Sequence, residues 1–214
     1  MNAIMLHATT VFMGFFAIMN PIANVPIFIG LTSDDDTRTT AAIARRSLLL
    51  AFIIVAAFAV AGKVIFELFG LTLPAFRITG GLLVFLIGFH MLQGRHSSVQ
   101  HPSEDDKQKS REAELGVAVS PLAMPILAGP GTIASAMNFS AGGGLMEVVV
   151  TIAMFAVLCM ITYVLFIYGE KLVTYIGSSA VNVITRMMGL IIAVIGTQMV
   201  IDGLTGVLQH LHSG

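Results

Sequence analysis

Two short clusters of Pro, Gly and Asn interrupt uncharged apolar stretches of the chain, and their residue types suit the binding of a small zwitterion. One cluster is residues 21–26 (PIANVP) and the other is residues 125–130 (PILAGP). Proline has no backbone N–H and disfavours helical angles at the residue before it, so each cluster should end one helix and begin another. Freed carbonyls and amide side chains can accept from an ammonium group. N–H groups at a new helix start can donate to a carboxylate.

We predict half-helices that begin near Pro26 and Pro130 and meet near the bilayer midplane. Small side chains around the second cluster leave room for a small neutral amino acid. A pair of proline kinks packed against neighbouring helices, with no ligand, is the alternative. The candidate binding residues are Asn20, Pro21, Asn24, Pro26, Pro125, Ala128, Gly129, Pro130, Gly131, Thr132 and Ser135.

A few polar residues in the apolar runs are candidates for proton coupling, because a charged group costs a few kcal/mol at the centre of a membrane span. Asp202 lies one turn after Gln198 in the final run, and Arg77 at the start of the third run could pair with it. An aspartate that only bonds to Gln198 near the membrane surface is an equally good interpretation. His90 is a further ionisable candidate because histidine can gain or lose a proton near neutral pH, but a surface position suits it better.

These residues must be positioned by helices that cross a membrane. Six runs have about the 20 apolar residues that the hydrocarbon layer requires. They are 4–31, 47–69, 73–93, 117–139, 147–168 and 184–206. The polar segment 95–116 is a predicted cytoplasmic loop between a first half, 1–94, and a second half, 117–214. We therefore predict an all-α polytopic membrane protein with six transmembrane helices, of which the first and fourth are broken.

Composition excludes several other classes. The 214 residues are 56% apolar, with 11 Lys and Arg, 12 Asp and Glu, a net charge of −1 and one Cys. These are too few charges for a soluble globule, no basic excess for nucleic acid and no disulfide framework. Residues 1–19 contain no Lys or Arg, so we expect no cleaved signal peptide. Because no metal, nucleotide or hydrolase motif occurs, we expect neither an enzyme nor a cofactor.

The two halves resemble each other. Three pairs of segments match in the same order: 21–26 with 125–130, 62–70 with 169–177, and 81–91 with 189–199. With three spans in each half, the second copy would be inverted in the membrane, as in many secondary transporters. Nine of the eleven Lys and Arg residues follow the first, third and fifth runs. Both termini should therefore lie outside the cytoplasm.

Four segments resemble the MarC family of bacterial inner-membrane proteins. They are 19–32 (MNPIANVPIFIGLT), 77–88 (RITGGLLVFLIG), 121–135 (PLAMPILAGPGTIAS) and 186–203 (RMMGLIIAVIGTQMVIDG). That family includes SnatA-type small neutral amino acid transporters. The resemblance implies six spans and proton-linked movement of amino acids such as glycine or alanine. Ala23 stands where the family often has Gly, which leaves the size of the substrate open.

We therefore predict a secondary transporter in the bacterial inner membrane that moves a zwitterionic amino acid by alternating access. Its partners are the substrate and the lipid bilayer, and a homo-oligomer is compatible with the sequence. Two alternatives stay open. The first is an exporter of other small solutes, and the second is a passive channel or a scaffold that transports nothing.

Overall fold

The computed structural model describes residues 3–32, 35–94, 127–141 and 144–212. Within these ranges every regular element is an α-helix, which confirms the predicted all-α class. The helices are α1 (Ala3–Met19), α2 (Pro21–Leu31), α3 (Thr37–Phe69), α4 (Leu73–Leu92), α5 (Pro130–Ala141), α6 (Leu145–Ile167), α7 (Gly169–Ile176) and α8 (Ser178–His212).

Five stretches of the described residues are long and apolar enough to cross a membrane. They are Ile4–Leu31, Thr37–Gly62, Leu73–Leu92, Leu145–Ile167 and Ser179–Gln209. The remaining predicted span, 117–139, is described only from residue 127 onward, and the predicted loop 95–116 lies outside the described residues. Large side chains on the outward faces, such as Ile53, Val60, Met160 and Val194, are more than half exposed. Apolar outer surfaces of this kind are what contact with lipid requires.

Two helices extend beyond their predicted limits. The second span, predicted at 47–69, begins at Thr37, and the last, predicted at 184–206, is part of the helix Ser178–His212. Apolar runs locate only the part of a helix inside the hydrocarbon layer, whereas the helix continues as far as its caps allow. At the start of α3, the carboxylate of Asp36 accepts from the N–H of Thr39 at 3.0 Å.

The interior is centred on α1, which packs against α5 and α6. Phe15 is fully buried, with its ring centroid 4.9 Å from that of Phe155 and 5.5 Å from that of Phe139. Gly14 makes this possible, since a Cβ there would lie 2.7 Å from Cζ of Phe139. This aromatic cluster fixes the first half of the first span.

The second half of that span has different neighbours. The ring of Phe28 in α2 stacks on Phe166 of α6 with centroids 4.3 Å apart. Gly169, at the start of the short helix α7, is buried against Val25 and Ile29 of α2. The sequence analysis did not predict α7. Because α1 and α2 pack against separate sets of side chains, the junction between them is held from both sides.

Helices α4 and α8 form the most extensively packed pair among the described elements and run antiparallel. A Cβ on Gly81 would lie 2.6 Å from the carbonyl oxygen of Gly196, and one on Gly189 would lie 2.9 Å from that of Gly88. Small residues that let two backbones approach this closely are typical of membrane helices. The pair presents Ile87 to the interior, where it contacts the start of α5.

Candidate functional site

The first helix break lies at Asn20. Helix α1 ends at Met19, α2 begins at Pro21, and Asn20 between them has φ 42° and ψ 67°. It is the only non-glycine residue with a positive φ in the described ranges. Pro21 disfavours helical angles at the residue before it, and asparagine tolerates the left-handed region better than most residues. The predicted interruption of the first span is therefore observed.

Its position corrects one prediction. The half-helix does not begin near Pro26, which lies inside α2. Val25 before it is β-branched and strongly disfavoured in the left-handed region, so the chain stays helical and gives up one hydrogen bond. The match of 21–26 with 125–130 pairs Pro26 with Pro130, and Pro26 does not begin a helix. As a match of helix starts it is therefore wrong. The helix starts are Pro21 and Pro130, which are 109 residues apart.

Two asparagine side chains bond to the backbone at the first break. Oδ1 of Asn20 accepts from the N–H of Ala23 at 3.3 Å, and Nδ2 of Asn24 donates to the carbonyl of Met19 at 2.7 Å. Asn20 is 4% exposed and Asn24 is 7% exposed. These two side-chain groups, which were predicted to bind a ligand, are thus hydrogen-bonded within the chain. Nδ2 of Asn20, however, is buried and has no partner among the described residues.

The predicted break of the fourth span is described only from residue 127 onward, and this described part, 127–131, is called the second break below. Ala128 and Gly129 are buried, and α5 begins at Pro130. The N–H of Ile133 donates to the carbonyl of Gly129 at 3.0 Å and so closes the first turn. The chain before residue 127, including the predicted site residue Pro125, lies outside the described residues.

The two breaks contact each other. A Cβ at Gly131, the second residue of α5, would lie 2.9 Å from Cδ1 of Ile87 and 3.6 Å from Cγ2 of Ile18. Ile18 is in the last turn of α1, two residues before Asn20. Both Asn20 and Gly131 are buried. The breaks therefore meet inside the protein, and only glycine fits at residue 131 without displacing a neighbour.

Polar atoms with no partner lie in the helices around this junction. The hydroxyl of Ser135, one turn after Gly131 in α5, is fully buried and unpartnered among the described residues. Thr132 is 1% exposed. An unsatisfied buried polar group costs about 1–3 kcal/mol, so a partner such as water or a bound solute is expected at the hydroxyl of Ser135. Three more buried hydroxyls have no partner among the described residues and were not predicted as site residues: Ser47, Ser140 and Thr151. Their only signal in the sequence is that they are polar residues within apolar helices.

A cavity of about 510 Å³ lies beside the second break, between α3, α4 and α5. Its walls are almost entirely apolar. They include Ile54, Phe58, Leu83, Ala128, Pro130 and Ala134. Space next to Pro130 is thus available for an apolar group.

The predicted coupling residues form two separate hydrogen-bonded pairs. Nε2 of Gln198 donates to Oδ1 of Asp202 at 2.8 Å on the exposed face of α8. Nε of Arg77 donates to Oδ1 of Asn138 at 2.8 Å. Arg77 therefore bonds to α5, and the pairing with Asp202 that the sequence allows is not observed. His90 is half-buried in the last turn of α4, and its Nδ1 has no partner within the described ranges.

No metal centre emerges from the part of the chain that the structure describes. There, no group of three or more His, Cys, Asp and Glu side chains is arranged to hold an ion.

Comparison with known proteins places the whole chain in one group of membrane proteins. Residues 5–208 match the model of the MarC family integral membrane proteins. The UPF0056 membrane protein YvbG of Bacillus subtilis is 40% identical, covering 95% of this chain and 96% of its own. The UPF0056 membrane protein PH0760 of Pyrococcus horikoshii is 36% identical, with a match that covers 94% of this chain and 98% of its own. The UPF0056 membrane protein YhcE of Escherichia coli is 33% identical, with a match that covers 94% of this chain and 93% of its own.

No solved structure matches the chain. The names of these relatives state a membrane location and give no substrate. Since the family model and full-length relatives agree, the chain is a multi-pass integral membrane protein that belongs to the MarC family.

Proposed function

We propose that this protein is a secondary transporter of small neutral amino acids such as glycine and alanine, and that the substrate binds where the two breaks meet. One observation carries the proposal. Nδ2 of Asn20 and the hydroxyl of Ser135 are both buried and unpartnered among the described residues, in helices whose broken ends touch. A substrate with its own polar groups would satisfy them.

The chemistry of these groups suits an amino acid. The amide nitrogen of Asn20, the N–H of Ile22 in α2 and the N–H groups of Gly131 and Thr132 in α5 are donors for a carboxylate, because the next N–H groups of both helices already donate within the chain. The hydroxyl of Ser135 can accept from an ammonium group, and the carbonyl of Ala17, to which Pro21 has no N–H to donate, adds a further acceptor. Gly131 and its tight contact with Ile87 leave little room, which favours a small side chain.

We further propose that six spans form two inverted repeats, with both termini outside the cytoplasm of a bacterial inner membrane. The contacts between α4 and α8 support this arrangement. Residues 108 apart exchange roles across the interface, so that Gly81 meets Gly196 in one contact and Gly189 meets Gly88 in the other. Such an exchange is what a pseudo-twofold axis between repeats produces. Rocking of the halves about it would expose the site alternately to each side.

Proton coupling through Asp202 completes the proposal. Its carboxylate is bonded to Gln198 and makes no ion pair within the described residues. Coupling through this group predicts that Asp202→Asn transports without a response to the pH gradient. A structural role predicts normal coupling in that variant.

The decisive experiment is uptake by purified protein in lipid vesicles. Labelled glycine and alanine are offered under an imposed proton gradient and, separately, under a sodium gradient, with protein-free vesicles as the control. We expect gradient-dependent uptake that unlabelled substrate inhibits. If neither amino acid moves under either gradient, the amino acid proposal fails. Movement of another small solute would then favour an exporter, and a leak without a gradient would favour a channel.

A further inference from the structure

A polar pair, Arg77 and Asn138, lies near one end of the apolar cavity beside the second break. Gly80 of α4 and Ala134 of α5 both line it, and a Cβ on Gly80 would lie 3.3 Å from that of Ala134. Arg77 precedes Gly80 by three residues, and Asn138 follows Ala134 by four. Each is therefore about one helical turn further toward the end of the membrane where α4 begins. The hydrogen bond between Arg77 and Asn138 thus lies about one helical turn beyond the lining residues Gly80 and Ala134.

Arg77 carries a charge that the described part of the protein does not neutralise. Its Nε donates to a neutral amide, and it makes no ion pair with any carboxylate of the described residues. Arg77 as a whole is half-buried. Its terminal nitrogens are left to bind an anion, and a guanidinium matches the geometry of phosphate well.

Among the described helices, the cavity opens on the outer surface between α3 and α4. Helices α3 and α4 both pack on α5 or α8, yet they make few contacts with each other apart from Phe66 and Phe76 near their connection. Thr79, which lines the cavity, is exposed. Because the outer faces of these helices are apolar, lipid is the medium at this opening.

We propose that an anionic phospholipid binds here, with its phosphate at Arg77 and one acyl chain in the cavity. Arg77 lies one turn inside the start of α4, close to the depth of lipid headgroups, and the apolar space leads from there toward the middle of the membrane. The chain would end against Ala128 and Pro130 and so fill the space beside the second break. Basic pockets between membrane helices bind anionic headgroups in this way. This inference does not depend on the identity of the transported solute.

The chain has no Trp, so a single introduced Trp is a specific reporter. Phe58→Trp places it in the cavity wall, and Leu82→Trp places it on the lipid-facing surface, where Leu82 is 51% exposed. Each protein is reconstituted in vesicles of unlabelled phosphatidylcholine. Small fractions of phosphatidylglycerol or phosphatidylcholine with brominated acyl chains are then added, because bromine quenches Trp fluorescence on contact.

We expect brominated phosphatidylglycerol to quench Phe58→Trp at about tenfold lower mole fraction than brominated phosphatidylcholine. Both lipids carry a phosphate, but the choline cation of phosphatidylcholine offsets the attraction of its phosphate to Arg77, whereas phosphatidylglycerol keeps a net negative charge. Leu82→Trp should be quenched equally by both lipids. When Arg77→Gln is added to Phe58→Trp, the preference for phosphatidylglycerol should disappear, and with Arg77→Lys part of it should remain. Arg186→Gln, at the other end of the bundle, is the control and should leave the preference unchanged. Equal quenching of Phe58→Trp by both lipids, or a preference that survives Arg77→Gln, would overturn the proposal.

Discussion

The first break is held by polar side chains of its own segment, whereas the second depends on the absence of side chains. At the first, Asn20 adopts a left-handed conformation, and two asparagine amides bond to the backbone around it. At the second, a Cβ on Gly131 would lie 2.9 Å from Cδ1 of Ile87, so that any larger residue must displace this side chain. The first break should therefore be sensitive to the loss of polar groups. The second should be sensitive to added volume.

The largest effect is expected from volume at the second break. Gly131→Leu should abolish uptake of glycine and alanine in vesicles, because its side chain must displace Ile87 and separate α5 from α1 and α4. Gly30→Leu is the matched control, since a Cβ at Gly30 meets nothing within 4 Å. Membrane insertion should be normal in both. Normal uptake by Gly131→Leu and by Gly129→Leu would remove the second break from the site.

The next effect concerns stability at the first break. Asn20→Ala should lower the free energy of unfolding by about 2–3 kcal/mol, since it loses the bond to Ala23 and holds alanine in a left-handed conformation. Asn20→Gly should recover about half of this, because glycine accepts that conformation. Denaturant or thermal unfolding in detergent measures both. If the two variants are equally stable, the conformation of Asn20 is not a source of strain.

Ser135→Ala isolates the role of an unpartnered hydroxyl. It removes no hydrogen bond of the described protein, so the free energy of unfolding should not fall. Affinity for glycine should fall by about tenfold, because the substrate loses a hydrogen bond. Concentration-dependent uptake gives the KM. An unchanged KM with unchanged stability would exclude Ser135 from contact with the substrate.

The smallest effect on transport is expected at Pro26. It lies inside α2, so Pro26→Ala restores a helical N–H and should maintain or raise the free energy of unfolding. Uptake should stay within about twofold of the original, as for other substitutions away from a site. A large loss of uptake would show that Pro26, and not Pro21 alone, defines the first break.

Local sterics made the first break predictable from the sequence, but not its position. Prolines mark places where a helix can stop, whereas the residue before each proline decides where it does. Asn20 tolerates the left-handed region and Val25 does not. A helix therefore begins at Pro21, whereas Pro26 lies within the same helix. The bond from Asn24 to the carbonyl of Met19 could not be predicted, because it depends on the turn that the break creates.

The depth of a residue in the membrane was also easier to predict than the direction in which its side chain points. Gly203 packs against Ile78, so Asp202 and Arg77 do lie at similar depth. Arg77 nevertheless bonds to Asn138 on α5, and Asp202 is on the exposed side of α8. Hydropathy orders residues along a helix, while their partners depend on how the helices are rotated and packed.

Direct binding of labelled glycine and alanine to the purified protein, measured at equilibrium without any gradient, tests whether the breaks form one substrate site. We predict saturable binding that Gly131→Leu abolishes, Asn20→Gly weakens and Gly30→Leu leaves unchanged. Equal binding by all four proteins, or none by the unaltered protein, would contradict a site at the junction of the two breaks.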